Sequence, residues 1–377
     1  MRRIYYYTCC FCFLLGLIQV ADAQYGHRTT VYSTVYVQTW KLTEDNDQRR
    51  LTQFALPLFI SHTISRRFQL FISEANAVST ISLPDDTQSP NADSQRLSGI
   101  GDTKIKLSYS LIPQKLLLTG GIGLPTGKSR LDSSEAQVFR QLYSETLRFR
   151  IGRLGEGRGA SIGLAGVHTF GPVTLGFGTS YLDKAAYEPL DIEGAPSYNP
   201  GNQYSGVLSV NWDIQRFHVR SGLIFTAYTP DRLEDIEQFR QGAETIVENS
   251  VSYRNARLST TIYSRNTFRQ KNALADAGGE LVKGDKDQQG HRILLSLTAD
   301  YRLNRKLTLN GLIENQRRLQ NEGQGKANVL SIGGGFRRGL TDSLTLEIGA
   351  RLSQGYMKND TVDLQGLAIS SALISTF

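Results

Sequence analysis

The sequence predicts an all-β fold, a transmembrane antiparallel up-and-down β-barrel of about sixteen strands within a range of roughly 12–16. Three observations predict it. Apolar and polar residues alternate through many segments of the chain, which is the period-2 pattern of half-buried strands. The connections between these segments alternate between short and long. The chain also closes on a strand, 364–377, that ends in an aromatic residue, Phe377.

The first 23 residues have the features of a secretory signal peptide. Arg2 and Arg3 precede an apolar run over 8–20, and Ala21 and Ala23 give the small-residue pattern of a cleavage site. We therefore expect a mature chain that starts at Gln24 and forms one barrel domain over 24–377. The mature chain would hold no disulfide and no thiolate metal site, because every cysteine lies in the leader: Cys9, Cys10 and Cys12.

The charge pattern favours solvated faces over a nucleic-acid site. The chain carries a formal net charge of +7, and loss of the leader lowers this charge by one. Lys and Arg are interspersed with Asp and Glu rather than grouped in a long basic block, so we expect water-facing strands and a pore lining. Beyond the leader, no apolar run reaches the roughly 18 residues that a spanning helix requires.

The connections sort by length, with short periplasmic turns at one end and long extracellular loops at the other. Strands such as 204–214 and 293–303 alternate over about 10–12 residues, enough to cross a bilayer core when tilted. A soluble β-sandwich would alternate too, but it has no reason to sort its loops by length. The short links lie near 64–67, 113–114, 171–172, 215–216, 254–256, 304–305 and 341–343, and the longer links near 41–49, 82–99, 127–157, 187–202, 229–242, 270–289, 319–326 and 357–362.

The two faces of the strands predict lipid contact on one side and a hydrated lumen on the other. Since a barrel of this width is too wide for side chains to fill, the polar faces would set charge selectivity. In a narrower barrel the same residues would pair as buried ion clusters. We expect Tyr32, Trp40, Tyr109, Trp212 and Tyr301 to meet lipid and its interfaces, and Lys104, Lys106, His218, Arg220, Glu314, Arg318, Glu347 and Arg351 to line the pore.

The third long connection, 127–157, is a candidate constriction loop. It is too long for a simple turn, and such loops are usually functional or disordered. Residues 134–147 could hold a short helix after a serine cap. We hypothesise that this loop folds into the lumen and narrows it with the positive charge of Arg140, Arg148 and Arg150.

Motifs that suggest enzymatic or ligand chemistry fail in detail. Gly121-Ile-Gly-Leu-Pro-Thr-Gly-Lys-Ser129 resembles a phosphate loop, but a glycine is needed where Ile122 stands and no helix pattern follows. Asp285 to Gly290 begins like an EF-hand loop, yet Ser296 stands where its bidentate carboxylate belongs. The sequence therefore predicts a protein that is not an enzyme and needs no cofactor or metal.

Four segments resemble a family of outer-membrane proteins associated with phenol-degradation (meta-pathway) operons. They are Gly99-Ile-Gly-Asp102, the Ile112-Pro113 turn, Leu118-Thr-Gly-Gly-Ile-Gly-Leu-Pro-Thr-Gly127 and His168-Thr-Phe-Gly-Pro172. That family is distantly similar to outer-membrane channels for long-chain fatty acids and aromatic hydrocarbons. The resemblance implies a transporter-like barrel for hydrophobic or aromatic small molecules, but the N-terminal plug segment of the fatty-acid channels is missing here. The charged strand faces fit hydrophilic solutes better.

We expect a passive outer-membrane channel for small solutes, exported through the signal peptide. Its partners would be outer-membrane lipid, a small-molecule solute and the barrel assembly machinery, the last through Phe377, with no nucleic acid. One alternative is a closed structural or adhesive barrel whose outer loops bind a surface partner. The other is an outer-membrane hydrolase, which would require a Ser or Asp within reach of His168, His218 or His291.

Overall fold

A computed structural model describes residues 28–45, 47–82, 94–284, 290–319 and 325–377. The predicted leader and the first five residues of the EF-hand-like segment lie outside the described residues. No helix among the described residues is long and apolar enough to cross a membrane.

Nearly all regular structure in the described chain is β-strand, as the alternation predicted. The strands of the barrel wall are mostly 10–17 residues long, longer than the roughly 9–11 residues that cross a bilayer core. In chain order the elements are β1 Thr29–Glu44, β2 Asp47–Thr63, β3 Phe68–Ser82, β4 Gln95–Ile100, β5 Thr103–Ile112, β6 Leu116–Leu124, α1 Ser133–Leu142, β7 Gly159–Phe170, β8 Val173–Lys184, β9 Tyr198–Asn199, β10 Gln203–Ile214, β11 Phe217–Tyr228, β12 Asp231–Leu233, β13 Ile236–Arg240, β14 Glu244–Arg254, β15 Leu258–Arg269, β16 Ala273–Ala275, β17 Leu281–Lys283, β18 Arg292–Arg302, β19 Leu307–Arg318, β20 Ala327–Gly339, β21 Leu344–Met357 and β22 Val362–Thr376.

The wall is a closed 16-strand antiparallel barrel. Wall strands that follow one another in the chain are paired, apart from the short strands of the long loops, which lie between some of them. β1 pairs with β22 from Thr30↔Thr376 to Glu44↔Val362, which closes the sheet. β4 and β5 share one position in the wall, because β4 pairs with one half of β3 and β5 with the other. Closure leaves no unpaired sheet edge, as a membrane requires.

The two ends of the barrel differ as predicted, with one exception. Two-residue turns such as Gly171–Pro172 connect strands at the short-turn end, and the long connections lie at the other end, here called the long-loop end. The exception is the first long-loop connection, predicted near 41–49. There β1 continues to Glu44 and β2 resumes at Asp47. The backbones of these polar residues pair as far as Glu44↔Asp47, and the two strands form a projecting hairpin.

Three of the long connections pair with one another in a small second sheet. Its strand order is β17, β16, β13, β12 and β9. Tyr198 in β9 donates a hydrogen bond from its hydroxyl to Asp231, and its ring meets that of Tyr187 edge-on at 5.7 Å between centroids. Burial and the Asp231 carboxylate raise the pKa of Tyr198. An isolated bridge between Leu131 and Leu190 joins the connection that carries β9 to the 127–157 connection.

Candidate functional site in the barrel lumen

The connection 127–157, here called the lumen loop, crosses the interior of the barrel. The side chain of Gln53 in β2 bonds to Ile151 of the loop at 2.7 Å and 2.9 Å. Arg269 in β15, on nearly the opposite side of the wall, bonds to Glu145 of the loop at 2.9 Å. A segment that touches both sides of a closed barrel lies inside it, so these contacts also identify the inward face of each strand.

Asp102 holds the two ends of the lumen loop together. It lies at the break between β4 and β5, where its carboxylate accepts hydrogen bonds from the backbone N–H groups of Gly127 at 2.9 Å and Glu156 at 2.6 Å. Its own N–H donates to the carbonyl of Leu154 at 2.9 Å. A Cβ on Gly127 would stand 2.3 Å from that same carbonyl, so only glycine fits there. Two of the motifs that carry the family resemblance therefore meet at this clamp.

The helix predicted in 134–147 is confirmed as α1, which begins one residue earlier at Ser133 and ends at Leu142, and its cap is Asp132 rather than a serine. The Asp132 carboxylate accepts from the backbone N–H groups of Ser134 and Glu135, both at 2.8 Å, and Glu135 accepts in return from the Asp132 N–H at 3.2 Å. These bonds, the one from Glu135 first, lower the pKa of Asp132. Val138 and Leu142 on the helix are buried. The helix thereby packs against β3 and β4.

Beside β1 and β2 the lumen loop seals against an apolar inner wall. The carbonyl of Leu147 accepts from Gln38 Nε2 at 2.8 Å and from Trp40 Nε1 at 3.0 Å. Trp40 is 3% exposed and Leu51 is 2% exposed, and both belong to one buried cluster with Leu147. The prediction that Trp40 meets lipid is therefore wrong, because this part of the inner face packs against protein.

Tyr32 also lies inward, on the same face of β1 as Trp40, where it lines a cavity below the loop. The expectation of lipid contact is thus wrong for this residue as well. Tyr109, Trp212 and Tyr301 lie on the outward face, with Trp212 48% exposed.

On the opposite side of the lumen the contacts are ionic. Glu145 of the loop meets Arg269 Nη1 at 2.9 Å and Arg292 Nη1 at 2.8 Å. Glu244 in β14 completes the group through pairs with the same two arginines. Gln316 in β19 donates to the Glu145 carbonyl at 2.9 Å. Removing one partner from such a part-buried group leaves a charge without its partner, so these pairs hold the loop on this side.

A third group adds an excess of positive charge beside the loop. Glu314 in β19 pairs with Arg148 of the loop at 2.7 Å and with Arg351 in β21 at 3.6 Å. Arg351 also reaches the hydroxyl of Tyr36 at 3.5 Å. Two guanidinium groups thus share one carboxylate.

A cavity of about 480 Å³ lies below the loop. Arg150 and Glu156 of the loop line it together with wall residues, among them Tyr32, Phe59 and Lys104. Phe59 is 39% exposed although it faces inward. The cavity therefore offers an aromatic surface beside charges of both signs, the mixture that binding sites for small polar molecules present.

All eight predicted lining residues face inward, at two levels. Glu314, Arg318 and Arg351 lie at the level of the loop, and the Arg318 Nε donates to the carbonyl of Gly325 at 3.1 Å. The other five lie lower and retain exposure to water: Lys104, Lys106, His218, Arg220 and Glu347.

The three predicted loop arginines occupy different positions, and two pairs of charged or polar residues lie lower in the lumen. Arg148 is paired with Glu314, Arg150 borders the cavity, and Arg140 is exposed on α1. Near the short-turn end, His218 Nδ1 lies 2.6 Å from Asp213, and Glu347 pairs with Arg337. Among the described residues no serine hydroxyl bonds to His218. Asp213 thus lies within reach of His218, as the hydrolase alternative requires, but both side chains are exposed and form a hydrogen-bonded pair between facing strands.

The residues that anchor the loop are not among the site residues predicted from the sequence. Glu244 and Arg269 stand directly opposite in the β14–β15 register on the inward face, so the alternation of these strands could have revealed that pair. Glu145, Gln53 and Asp102 gave no such signal, because their partners are distant in sequence.

Comparisons with known proteins identify similar barrels at low sequence identity. No protein-family model matches the chain, and a search of curated proteins found no match. Among solved structures, the chain is similar to the CymD monoaromatic hydrocarbon channel, at 12% identity, 94% coverage of this chain, 90% of that chain and a TM-score of 0.43. It is also similar to Pseudomonas aeruginosa OccK5, at 12% identity, 93% coverage of this chain, 98% of that chain and a TM-score of 0.45. A third similar structure is an outer membrane channel from Pseudomonas putida F1, at 13% identity, 95% coverage of this chain, 98% of that chain and a TM-score of 0.39.

Proposed function

We propose that the protein is an outer-membrane channel for small solutes, in which the lumen loop determines what passes. The observation that carries this proposal is that the loop crosses the lumen and is bonded to both sides of the wall, through Gln53 and Arg269. Below the loop the inward face is charged and exposed to water. A solute that traverses the barrel must pass the loop, so its width and charge become the filter.

The charges around the loop favour anionic solutes. Arg148 and Arg351 share the single carboxylate of Glu314, which leaves one positive charge in excess beside the loop. The cavity below the loop carries charges of both signs. The cavity also presents the rings of Tyr32 and Phe59, which suit an aromatic part of the solute. We therefore propose small anions, including aromatic ones, as the preferred class. Flux would be passive, and no cofactor and no catalytic step would be involved.

The location and assembly route belong to the same proposal. Residues 1–23 would direct export, and the strand that ends at Phe377 would be recognised by the barrel assembly machinery. The backbone of Phe377 exchanges two hydrogen bonds with Thr29, at 2.9 Å and 3.1 Å. This terminal strand therefore also closes the barrel, which supports a role for it in assembly.

A closed barrel that binds a surface partner through its outer loops is the second candidate. The observation that favours it is the seal on one side of the lumen, where Gln38, Trp40, Leu51 and Gln53 are at most 3% exposed. If the seal extends round the wall, solutes cannot pass until the loop moves.

Single-channel recording distinguishes the two candidates. We would refold the chain without residues 1–23 into planar bilayers and measure the conductance, with the reversal potential in a salt gradient. The channel proposal predicts stable steps with anion preference, and a larger conductance after deletion of 132–150. A deletion of 192–195, in a different long loop, is the control and should leave the conductance unchanged.

Two outcomes would contradict the channel proposal. A folded wild-type barrel without steps that conducts only after deletion of 132–150 would favour the closed barrel. Equal conductance before and after that deletion would show that the lumen loop does not limit passage.

A further inference from the structure

The outward face of the barrel carries a groove at the long-loop end. It runs across β2, β1, β22, β21 and β20 and has a volume of about 690 Å³, within the range of roughly 300–1,000 Å³ typical of ligand pockets. Its walls are formed by Lys41, Arg50, Leu330, Ile332, Leu352 and Leu367, and small residues such as Thr39 and Thr52 leave the space between them.

Two cations stand side by side at the upper edge of this groove. Lys41 and Arg50 are paired directly in the β1–β2 register, and both face outward. Like charges opposite each other in a sheet destabilise it. Neither residue forms an ion pair within the described part of the chain, where the neighbouring Arg49 and Glu44 pair with each other at 3.5 Å on the inward face. An anion outside the protein would relieve this repulsion.

Apolar side chains continue the groove below the cations. Leu352 is paired with Leu367 and with Ile332 in register, which makes one row across three strands. Leu352 is 65% exposed and Ile332 57% exposed. Lys41 is the thirteenth residue of β1, counted from Thr29, just beyond the roughly 9–11 residues that cross a bilayer core. The cations thus stand at the level of lipid headgroups, and the apolar row lies at the level of acyl chains.

We propose that this groove binds one phosphorylated membrane lipid, with the phosphate between Lys41 and Arg50 and an acyl chain along Ile332, Leu352 and Leu367. The proposal rests on the membrane location given under Proposed function. A lipid fits this groove because it has a charged phosphate at one end and apolar chains at the other. The two cations lie at the headgroup level of the groove, and the apolar row lies at the level of the acyl chains. Lys and Arg near a membrane surface attract anionic lipids in this way.

The test is lipid titration of the detergent-extracted protein by native mass spectrometry. The probes are phosphatidic acid and phosphatidylcholine with equal acyl chains, short-chain phosphatidic acid, and inorganic phosphate. We expect the wild type to bind one long-chain phosphatidic acid more tightly than phosphatidylcholine. The variant Lys41→Gln/Arg50→Gln should weaken that binding about thirtyfold, the factor expected for two cations at a membrane surface.

Two further variants separate the charge from the apolar row. Arg305→Gln/Arg338→Gln removes two charges at the short-turn end and should bind as the wild type does. Leu352→Ser/Leu367→Ser should weaken long-chain phosphatidic acid several-fold and leave the short-chain lipid unchanged. Heat-modifiable migration in gels checks that each variant is folded.

Three results would overturn the proposal. One is equal phosphatidic acid binding by Lys41→Gln/Arg50→Gln and the wild type. Another is complete displacement of the lipid by inorganic phosphate, which would mark a site for free anions. The third is a groove variant that changes the oligomeric state of the protein but not its lipid binding. That result would identify the groove as a contact between two copies of the protein. Conductance of the same samples tests the channel separately, because the groove lies outside the lumen.

Discussion

The apolar face of the strands points outward in one part of the wall and inward in another. In β10 and β11 the outward face is apolar, with Trp212 and Phe225 exposed, and the inward face carries His218 and Arg220. In the long-loop half of β1 and β2 the inward face is apolar, with Trp40 and Leu51 buried, and the outward face carries Lys41 and Arg50. The difference arises because the lumen loop covers only the second region. Which face of a strand is apolar depends on what covers it, and inside a barrel that can be the chain itself.

The largest expected effect comes from truncating an aromatic residue in each region. Trp40→Ala leaves a cavity under the loop and removes the bond to the Leu147 carbonyl, so the free energy of unfolding should fall by about 3–5 kcal/mol. Trp212→Ala should cost less, because lipid fills the space at an outward position. Urea unfolding in lipid vesicles measures both. Equal losses would contradict the enclosure of Trp40.

A charge change tests the opposite side of the lumen. Glu145→Gln leaves Arg269 and Arg292 with Glu244 as their only remaining carboxylate in this group, and should loosen the docked loop by up to about 3 kcal/mol. Hydrogen exchange at 143–148 should become faster, and conductance should become noisier. Glu193→Gln, on a different long loop, is the control. Unchanged exchange in Glu145→Gln would show that the ionic contacts do not anchor the loop.

Gln53, one of the polar anchors of the loop beside β1 and β2, should matter less. Gln53→Met removes both bonds to the Ile151 backbone and leaves that part-buried peptide unsatisfied, at a cost of about 1–2 kcal/mol. Gln48→Met on the same strand changes an exposed residue and serves as the control. The urea midpoint of the two variants should differ. Identical midpoints would mean that the loop finds water or another partner for Ile151.

The smallest effect concerns the helix cap and its pH dependence. The pKa of Asp132 is lowered in the folded chain, so its carboxylate stabilises α1 above the unfolded pKa, and this contribution is lost as the pH falls through the folded pKa. Hydrogen exchange at 133–142 should therefore accelerate in acid. Asp132→Asn keeps an acceptor for the cap but should lack this acid dependence. The same acceleration in both proteins would assign it to another group.

Sequence alone determined the barrel, because its signals are local. Side chains alternate with a period of two along a strand, so strands such as β10 and β19 and the inward position of Glu314 could be inferred from neighbouring residues. The lengths of the connections are equally local features, and they distinguish the short-turn end of the barrel from the long-loop end. The position of α1 within the third long connection was also predictable, although its cap proved to be Asp132.

Only the tertiary structure decided what fills the lumen. Gln38 and Trp40 bond to Leu147 across more than 100 residues of chain, and Glu145 finds Arg269 and Arg292 in strands much later in the sequence. No periodicity encodes such contacts. They depend on a loop entering a space that exists only once β1 has paired with β22. Burial against that loop turned Trp40 inward and left Lys41 facing outward, because an apolar side chain is stabilised by any surface that excludes water, whether lipid or protein.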